Sequence, residues 1–88
     1  MRSFTSRQFR TLYAKLPQEV KLRANRAYKL FRRDPAHPGL NFKRVENFDD
    51  IYSARVGLSH RAVAQMDGHD LIWFWIGTHA EYDRLLRG

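Results

Sequence analysis

Residues 67–78, DGHDLIWFWIGT, decide the fold of this chain. The Asp67-Gly68 pair predicts a tight two-residue hairpin turn, because glycine readily supplies the positive φ that such a turn needs. Residues 71–76 are apolar at every position, which predicts an interior strand covered on both faces. Trp73 and Trp75 are two positions apart and are expected on one face. Packing in the core or against a partner suits them better than base stacking.

The segments before this hairpin alternate between apolar and polar residues with a period of two. In residues 51–57, Ala54 and its apolar neighbours occupy one face, while Arg55 lies on the other. Residues 61–66 provide the strand before the Asp67-Gly68 turn, and residues 42–45 provide a further short strand. The pattern predicts an antiparallel meander of three to four strands.

The N-terminal third has helical spacing instead. Apolar residues predict a first helix of about ten residues that ends near Leu16, and Pro17 suits the opening turn of a second helix. The second apolar stripe stops at Asp34-Pro35, because the residue before a proline avoids the helical region. The predicted class is α+β: two N-terminal helices on one face of a small antiparallel sheet, followed by a short C-terminal helix. Residues 1–88 form a single domain.

Composition and charge narrow the possible partners. The chain is 43% hydrophobic, has no cysteine and has no window long enough for a membrane span, so we expect a soluble, cytoplasmic domain. Residues 1–33 carry ten Lys or Arg and one acidic residue, whereas residues 34–88 carry six Lys or Arg and eight acidic residues. This asymmetry favours a polyanionic partner. An acidic protein, or solvent alone, would also match such a surface.

The last helix begins with a capping box. In residues 78–81, THAE, the Thr78 hydroxyl is expected to accept from the Glu81 N–H while Glu81 accepts from Thr78. His79 then occupies the first helical position, where free N–H groups and the helix dipole attract phosphate and disfavour imidazolium. A neutral histidine beside an anion site suits phosphodiester chemistry. The alternative is an ordinary capped helix that packs Tyr82 against the core and leaves His79 without a role.

Two arginines flank the turn at residues 56–60. Arg55 and Arg61 could hold a phosphate between their planar, permanently charged guanidinium groups. They could instead remain in solvent or pair with Asp67 and Asp70, the more common situation for surface arginine. The histidines lack metal-ligand spacing, and there is no glycine-rich phosphate loop, so we expect neither a metal nor a cofactor.

Three motifs, in this order and spacing, resemble the RelE/ParE superfamily of bacterial type II toxins. They are Asp-Pro-x-His-Pro-x-Leu at residues 34–40, Arg-Val-Gly and Arg-Ala-Val at residues 55–57 and 61–63, and Gly-Thr-His-Ala at residues 77–80. The resemblance implies a small sheet with two helices on one face and an open, concave opposite face. It also implies a metal-independent messenger RNA endoribonuclease that acts on the ribosome. In that reaction the 2′-hydroxyl attacks the neighbouring phosphate and leaves a 2′,3′-cyclic or 3′-phosphate. The implied partners are the ribosome, messenger RNA and a cognate antitoxin, with which the toxin forms a hetero-oligomer.

The same resemblance, to the RelE and YafQ branch, implies roles for particular residues. His79 is the acid/base candidate, His37 matches a second histidine of that branch, and Arg55 and Arg61 are the phosphate ligands. Further RNA contacts are assigned to basic residues: Lys43, Arg44, Arg23, Arg26, Lys29 and Arg33. The chain lacks the acidic and histidine residues that YafQ-like enzymes carry around the middle hairpin. Two other functions therefore remain: a ParE-like poison of DNA gyrase, and a weakened RNA- or antitoxin-binding module.

Overall fold

The computed structural model describes residues 1–87 and contains a five-stranded sheet and three α-helices. The elements, in chain order, are β1 (Arg2–Thr5), α1 (Arg7–Ala14), α2 (Gln18–Arg33), β2 (Lys43–Arg44), β3 (Ile51–Val56), β4 (His60–Asp67), β5 (Asp70–Thr78) and α3 (His79–Arg87), with a 3-10 turn at Pro38–Leu40. The strand order is β1-β5-β4-β3-β2. Strands β2 to β5 form the predicted antiparallel meander.

Both N-terminal helices pack on one face of this sheet, as predicted. The Ser6 hydroxyl caps α1 by accepting from the Phe9 N–H at 3.1 Å, and α2 ends at Arg33, just before Asp34. Phe31 of α2 is 3% exposed and meets Trp73 of β5 in an edge-on ring contact. The core therefore lies between α2 and the sheet, and the predicted α+β class is confirmed.

Strand β1 was not predicted, and it makes the sheet mixed, because it pairs in parallel with β5. It is a four-residue edge strand with no fully buried residue, so its sequence gives almost no hydrophobic signal. Specific polar contacts hold it instead. The Ser3 hydroxyl lies 2.7 Å from the Tyr28 hydroxyl of α2, and Arg2 forms an ion pair with Asp70 at 3.2 Å.

A β-bulge at Phe74 overturns the expectation that Trp73 and Trp75 share a face. Val63 is paired with Trp75, whereas Ala64 is paired with Trp73, so Phe74 is an extra residue in β5. The extra residue reverses the alternation. Trp73 therefore lies in the core beneath α2, while Trp75 contacts Tyr82 of α3.

Helix α3 crosses the sheet face opposite α1 and α2, which we call the α3 face. Its predicted capping box is present: Thr78 N donates to Glu81 Oε1 at 2.8 Å, and Glu81 N donates to Thr78 Oγ1 at 3.1 Å. On this face Val63 and Ser53 are fully buried, so part of the face expected to be open is covered. No helix in the described part of the chain is long and apolar enough to cross a membrane.

Candidate functional site

Two arginines lie side by side on the α3 face. Arg55 of β3 and Arg61 of β4 are direct cross-strand partners, and Arg61 is in turn paired with Gly77 of β5. Residues paired across strands project to the same face, so both guanidinium groups belong to one patch. Like charges placed directly opposite each other destabilise a sheet. An anion bound between them would remove this repulsion.

The carboxylates that could have neutralised these arginines lie elsewhere. Asp67 and Asp70 are at the β4–β5 turn, the opposite end of both strands, and Asp70 is paired with Arg2. Within residues 1–87, neither Arg55 nor Arg61 forms an ion pair with a carboxylate. The structure thus contradicts the interpretation that paired Arg55 and Arg61 with these aspartates.

Helix α3 brings an aromatic ring and a histidine to the same patch. The guanidinium carbon of Arg61 lies 5.4 Å from the centre of the Tyr82 ring, a cation–π contact. The Tyr82 ring centre is 6.2 Å from that of His79. One turn further along the helix, Asp83 Oδ1 is 3.7 Å from His79 Nε2, which is beyond hydrogen-bond distance but close enough for an ion pair with a protonated imidazole. Arg61, Tyr82 and His79 thus form one continuous cluster, with Arg55 beside Arg61.

The N-terminus of α3 is less available to phosphate than the sequence suggested. The His79 N–H donates to the Ser59 carbonyl at 2.9 Å, and the Glu81 N–H donates to the Thr78 hydroxyl. The hydrogen bond from the Thr78 backbone N–H, together with the Thr78 hydroxyl, lowers the pKa of Glu81, so this carboxylate is negative at neutral pH. The anion-binding part of the site is consequently the arginine pair rather than the helix end.

Strand β2 and helix α3 enclose a cleft of about 400 Å³ on the same side of the molecule. Lys43 and Arg44 line it from the strand, and Tyr82 and Arg87 line it from the helix. Lys43 is the cross-strand partner of Ser53 and therefore lies on the α3 face, next to the row that contains Arg55. The cleft extends the basic patch away from the cluster.

The other predicted residues are spread over the molecule. The Arg23 side chain reaches the β3–β4 turn, since a Cβ at Gly57 would lie 3.0 Å from its Cδ. Three more basic residues of α2 are exposed on the far layer: Arg26, Lys29 and Arg33. His37 Nδ1 accepts from the Gly39 N–H at 3.0 Å in its own turn. In residues 1–87, His37 has no hydrogen bond to the arginine–tyrosine–histidine cluster.

Tyr82 is the site residue that sequence reasoning assigned to the wrong place. Its helical spacing pointed to the core, but the ring is half-buried and lies between Trp75, Arg61 and His79. The bulge in β5 explains the error, because it places Trp75 rather than a core residue beneath α3. A signal was available: Tyr82 follows His79 by three residues and so shares its helix face.

Comparison with known proteins agrees with this architecture. Residues 18–84 match the model of the ParE-like toxin domain, and the chain therefore belongs to that family, within the RelE/ParE superfamily of toxins. No curated protein sequence matches the chain.

Several solved structures share the fold. One is the RelB–RelE antitoxin–toxin complex from Methanococcus jannaschii, with a TM-score of 0.73, 16% identity, and coverage of 92% of this chain and 96% of that chain. Another is YafQ from Escherichia coli, with a TM-score of 0.70 and 17% identity, and the match covers 93% of this chain and 98% of that chain. A third is the RelBE2 toxin–antitoxin complex from Mycobacterium tuberculosis, with a TM-score of 0.67 and 17% identity, and the match covers 89% of this chain and 96% of that chain. At these identities the likeness establishes the fold alone.

Proposed function

We propose that this protein is the toxin of a type II toxin–antitoxin system and cleaves messenger RNA on the ribosome without using a metal ion. One observation carries the proposal: Arg55 and Arg61 are opposed on one face, unpaired by any carboxylate in residues 1–87, and next to Tyr82 and His79. Such a pair of guanidinium groups suits a phosphodiester, whose charge increases when it is attacked.

In the proposed reaction the 2′-hydroxyl attacks the adjacent phosphorus, and the bond from phosphorus to the 5′-oxygen breaks. A base takes the proton of the 2′-hydroxyl, and an acid gives a proton to the departing 5′-oxygen. Arg55 and Arg61 bind the phosphate and stabilise its developing charge. His79 transfers a proton, and Asp83, on the next turn of the helix, would stabilise the protonated imidazole by its charge. His37, with Nδ1 engaged by Gly39, keeps Nε2 for a second proton transfer.

The remaining basic residues divide into two groups by position. Lys43 and Arg44 line the cleft beside α3 and are proposed to follow the messenger RNA backbone, with Arg23 at the β3–β4 turn. The exposed cations of α2 lie on the other layer, where they would contact ribosomal RNA through its phosphates. On this basis the ribosome and the messenger RNA are proposed to contact different faces of the toxin.

An antitoxin partner is part of the same proposal. The matched structures from Methanococcus jannaschii and Mycobacterium tuberculosis are toxin–antitoxin complexes. This chain also exposes apolar side chains next to its basic helix: Leu58 is 95% exposed and Leu22 is 47% exposed. An acidic antitoxin with apolar anchors would match that surface and give a cytoplasmic hetero-oligomer.

Inducible expression in a bacterial host, followed by primer-extension mapping of transcripts, tests the ribonuclease proposal. We expect growth arrest and cuts confined to translated regions, with the cuts lost in His79→Ala. His69→Ala is the matched control, because His69 is an exposed histidine of the β4–β5 turn, and it should cut like the wild type. Cuts that persist in a folded His79→Ala protein would remove His79 from the mechanism.

A gyrase poison is the second candidate, and the matched family favours it through its ParE-like description. This function acts through a protein surface and needs no proton transfer. The same expression experiment separates the two. Intact transcripts together with accumulated gyrase–DNA complexes would establish the second candidate, and His79→Ala would then remain toxic.

A further inference from the structure

Tyr82 belongs to the cluster on the α3 face, but it is neither a phosphate-binding cation nor the proton-transferring histidine. Its side chain is half-buried, and its ring centre lies 6.5 Å from that of Trp75 on the sheet beneath α3. The guanidinium carbon of Arg61 lies over the Tyr82 ring, 5.4 Å from its centre. The ring therefore contacts one of the two proposed phosphate ligands directly.

The other neighbours of Arg61 across the sheet do not hold its guanidinium in the site. Arg55 is its partner on β3 and repels it, while Gly77, its partner on β5, has no side chain. Within residues 1–87, no carboxylate forms an ion pair with Arg61. A long side chain under repulsion gains rotamer freedom by turning towards solvent. The Tyr82 ring supplies an attraction that opposes this, because guanidinium groups stack on the negative faces of aromatic rings.

The position of His79 does not depend on the Tyr82 ring in the same way. The His79 backbone N–H donates to the Ser59 carbonyl at 2.9 Å, and the capping box between Thr78 and Glu81 fixes the first turn of α3. These contacts belong to the backbone and the cap, so they remain when the ring is removed. Loss of the ring should therefore displace the Arg61 guanidinium and leave the histidine in place.

We propose that Tyr82 is a positioning residue: its ring holds the Arg61 guanidinium beside Arg55, where the two cations bind one phosphodiester. The role belongs to the face of the ring, and the phenol hydroxyl takes no part in proton transfer. This inference rests on the proposed ribonuclease function and deepens it, because it states what keeps two like charges together before the messenger RNA binds.

Two substitutions of Tyr82 separate the ring from the hydroxyl in a messenger RNA cleavage assay. Tyr82→Leu should lower kcat roughly 5- to 30-fold, the range expected for a partly desolvated cation–π contact. The loss should fall chiefly on kcat, because the charge on the phosphate increases as it is attacked. Tyr82→Phe keeps an aromatic face and should stay within about twofold of the wild type, with an unchanged pH profile. A Tyr82→Phe protein as impaired as Tyr82→Leu would overturn the proposal, because the hydroxyl would then act in the reaction.

A double-mutant cycle with Arg61→Ala separates positioning from a general loss of packing. If the ring acts through Arg61, Tyr82→Leu should change kcat by less than about twofold when the guanidinium is already absent. A loss that is equally large in the wild-type and Arg61→Ala backgrounds would overturn the proposal, because the ring would then act on the helix or on the substrate.

Nuclear magnetic resonance of the Arg61 side chain tests the position of the guanidinium without relying on cleavage. In the folded wild type, the ring should shift the Arg61 Nε–H resonance upfield and make it less mobile than that of Arg84, which is exposed on α3. Tyr82→Leu should remove the upfield shift. Tyr82→Phe should keep it, as should the control Leu86→Ala, which truncates a different half-buried side chain of α3.

Failure of the ribonuclease proposal and failure of the positioning role give different results. If the wild type does not cleave messenger RNA, the ribonuclease proposal is wrong, and the Arg61 resonance alone decides whether Tyr82 holds the guanidinium. An Arg61 resonance that is unshifted in the wild type would overturn the positioning role, even where Tyr82→Leu does not fold. A resonance that Tyr82→Leu leaves unchanged would overturn it as well.

Discussion

Gly77 is the residue on which the packing of α3 against the sheet depends, and Gly77→Ala tests that packing. A Cβ at this buried position would lie 2.7 Å from two ring carbons of Trp75 and 2.9 Å from Glu81 Oε1. Real Cβ contacts essentially never fall below 3.0 Å, so the substitution must displace the indole, the capping carboxylate or both. Either displacement weakens the attachment of α3.

The size of the effect follows from three contributions. Overpacking costs about 1–3 kcal/mol, and loss of a helix cap costs about 0.5–2 kcal/mol. Replacing glycine with alanine stabilises the folded state by about 0.4–1 kcal/mol, because it lowers the conformational entropy of the unfolded chain. We therefore expect a net loss of about 0.5–4.5 kcal/mol in the free energy of unfolding, and each kcal/mol lowers Tm by roughly 4–8 °C for a chain of this size.

Urea unfolding followed by circular dichroism measures this change. An unchanged m-value, the slope of the free energy of unfolding against urea concentration, would show that the transition is still two-state. Gly39→Ala is the matched control, because its Cβ would meet only the exposed imidazole of His37, at 3.1 Å, and its cost should stay below about 0.5 kcal/mol. In a Trp75→Leu background, the cost of Gly77→Ala should fall by at least about 0.5 kcal/mol. If the midpoint urea concentration for unfolding of Gly77→Ala equals that of the wild type, the described packing of α3 is wrong.

Three further predictions concern other parts of the molecule. Because the folded-state pKa of Glu81 is lowered by Thr78, its stabilisation is present above the unfolded pKa and is lost as pH falls through the folded value. Glu81→Gln should therefore lower Tm at neutral pH and approach the wild type in acid, and parallel melting curves across that range would contradict this. Arg61→Ala should reduce the salt dependence of RNA binding by about one phosphate contact, measured as the slope of log K against log salt; an unchanged slope would exclude the contact. Tyr28→Phe should cost about 0.5–1.5 kcal/mol and increase hydrogen exchange in β1, because it removes the hydrogen bond with Ser3; unchanged exchange would show that this bond does not hold the strand.

The sequence predicts the helices and the meander because both are periodic over many residues. The stripe of α2 places Phe31 in the core, and the alternation in β3 separates Ala54 from Arg55. Strand β1 could not be found in this way. It is only four residues long, and its position depends on a parallel partner about seventy residues away in the chain.

The site was predicted less completely, for a physical reason that begins in β5. One extra residue, Phe74, reverses the alternation after it, so Trp75 lies under α3 and Tyr82 joins the site rather than the core. Alternation alone cannot reveal such a bulge, because the residues on both sides of it are apolar. The opposed arginines are different, since the turn between Arg55 and Arg61 made them neighbours in any hairpin register close to the one observed.

The most direct test of the ribonuclease proposal uses purified protein in a translation reaction, with the messenger RNA ends identified chemically. We predict 2′,3′-cyclic or 3′-phosphate ends, and no cut where the attacking 2′-hydroxyl is replaced by hydrogen. Arg61→Ala should slow cleavage about 100-fold or more, the typical loss when a group that stabilises transition-state charge is removed, while the exposed control Arg84→Ala should retain the wild-type rate. Ends that carry a 3′-hydroxyl, or cleavage that survives removal of the 2′-hydroxyl, would contradict the proposed mechanism.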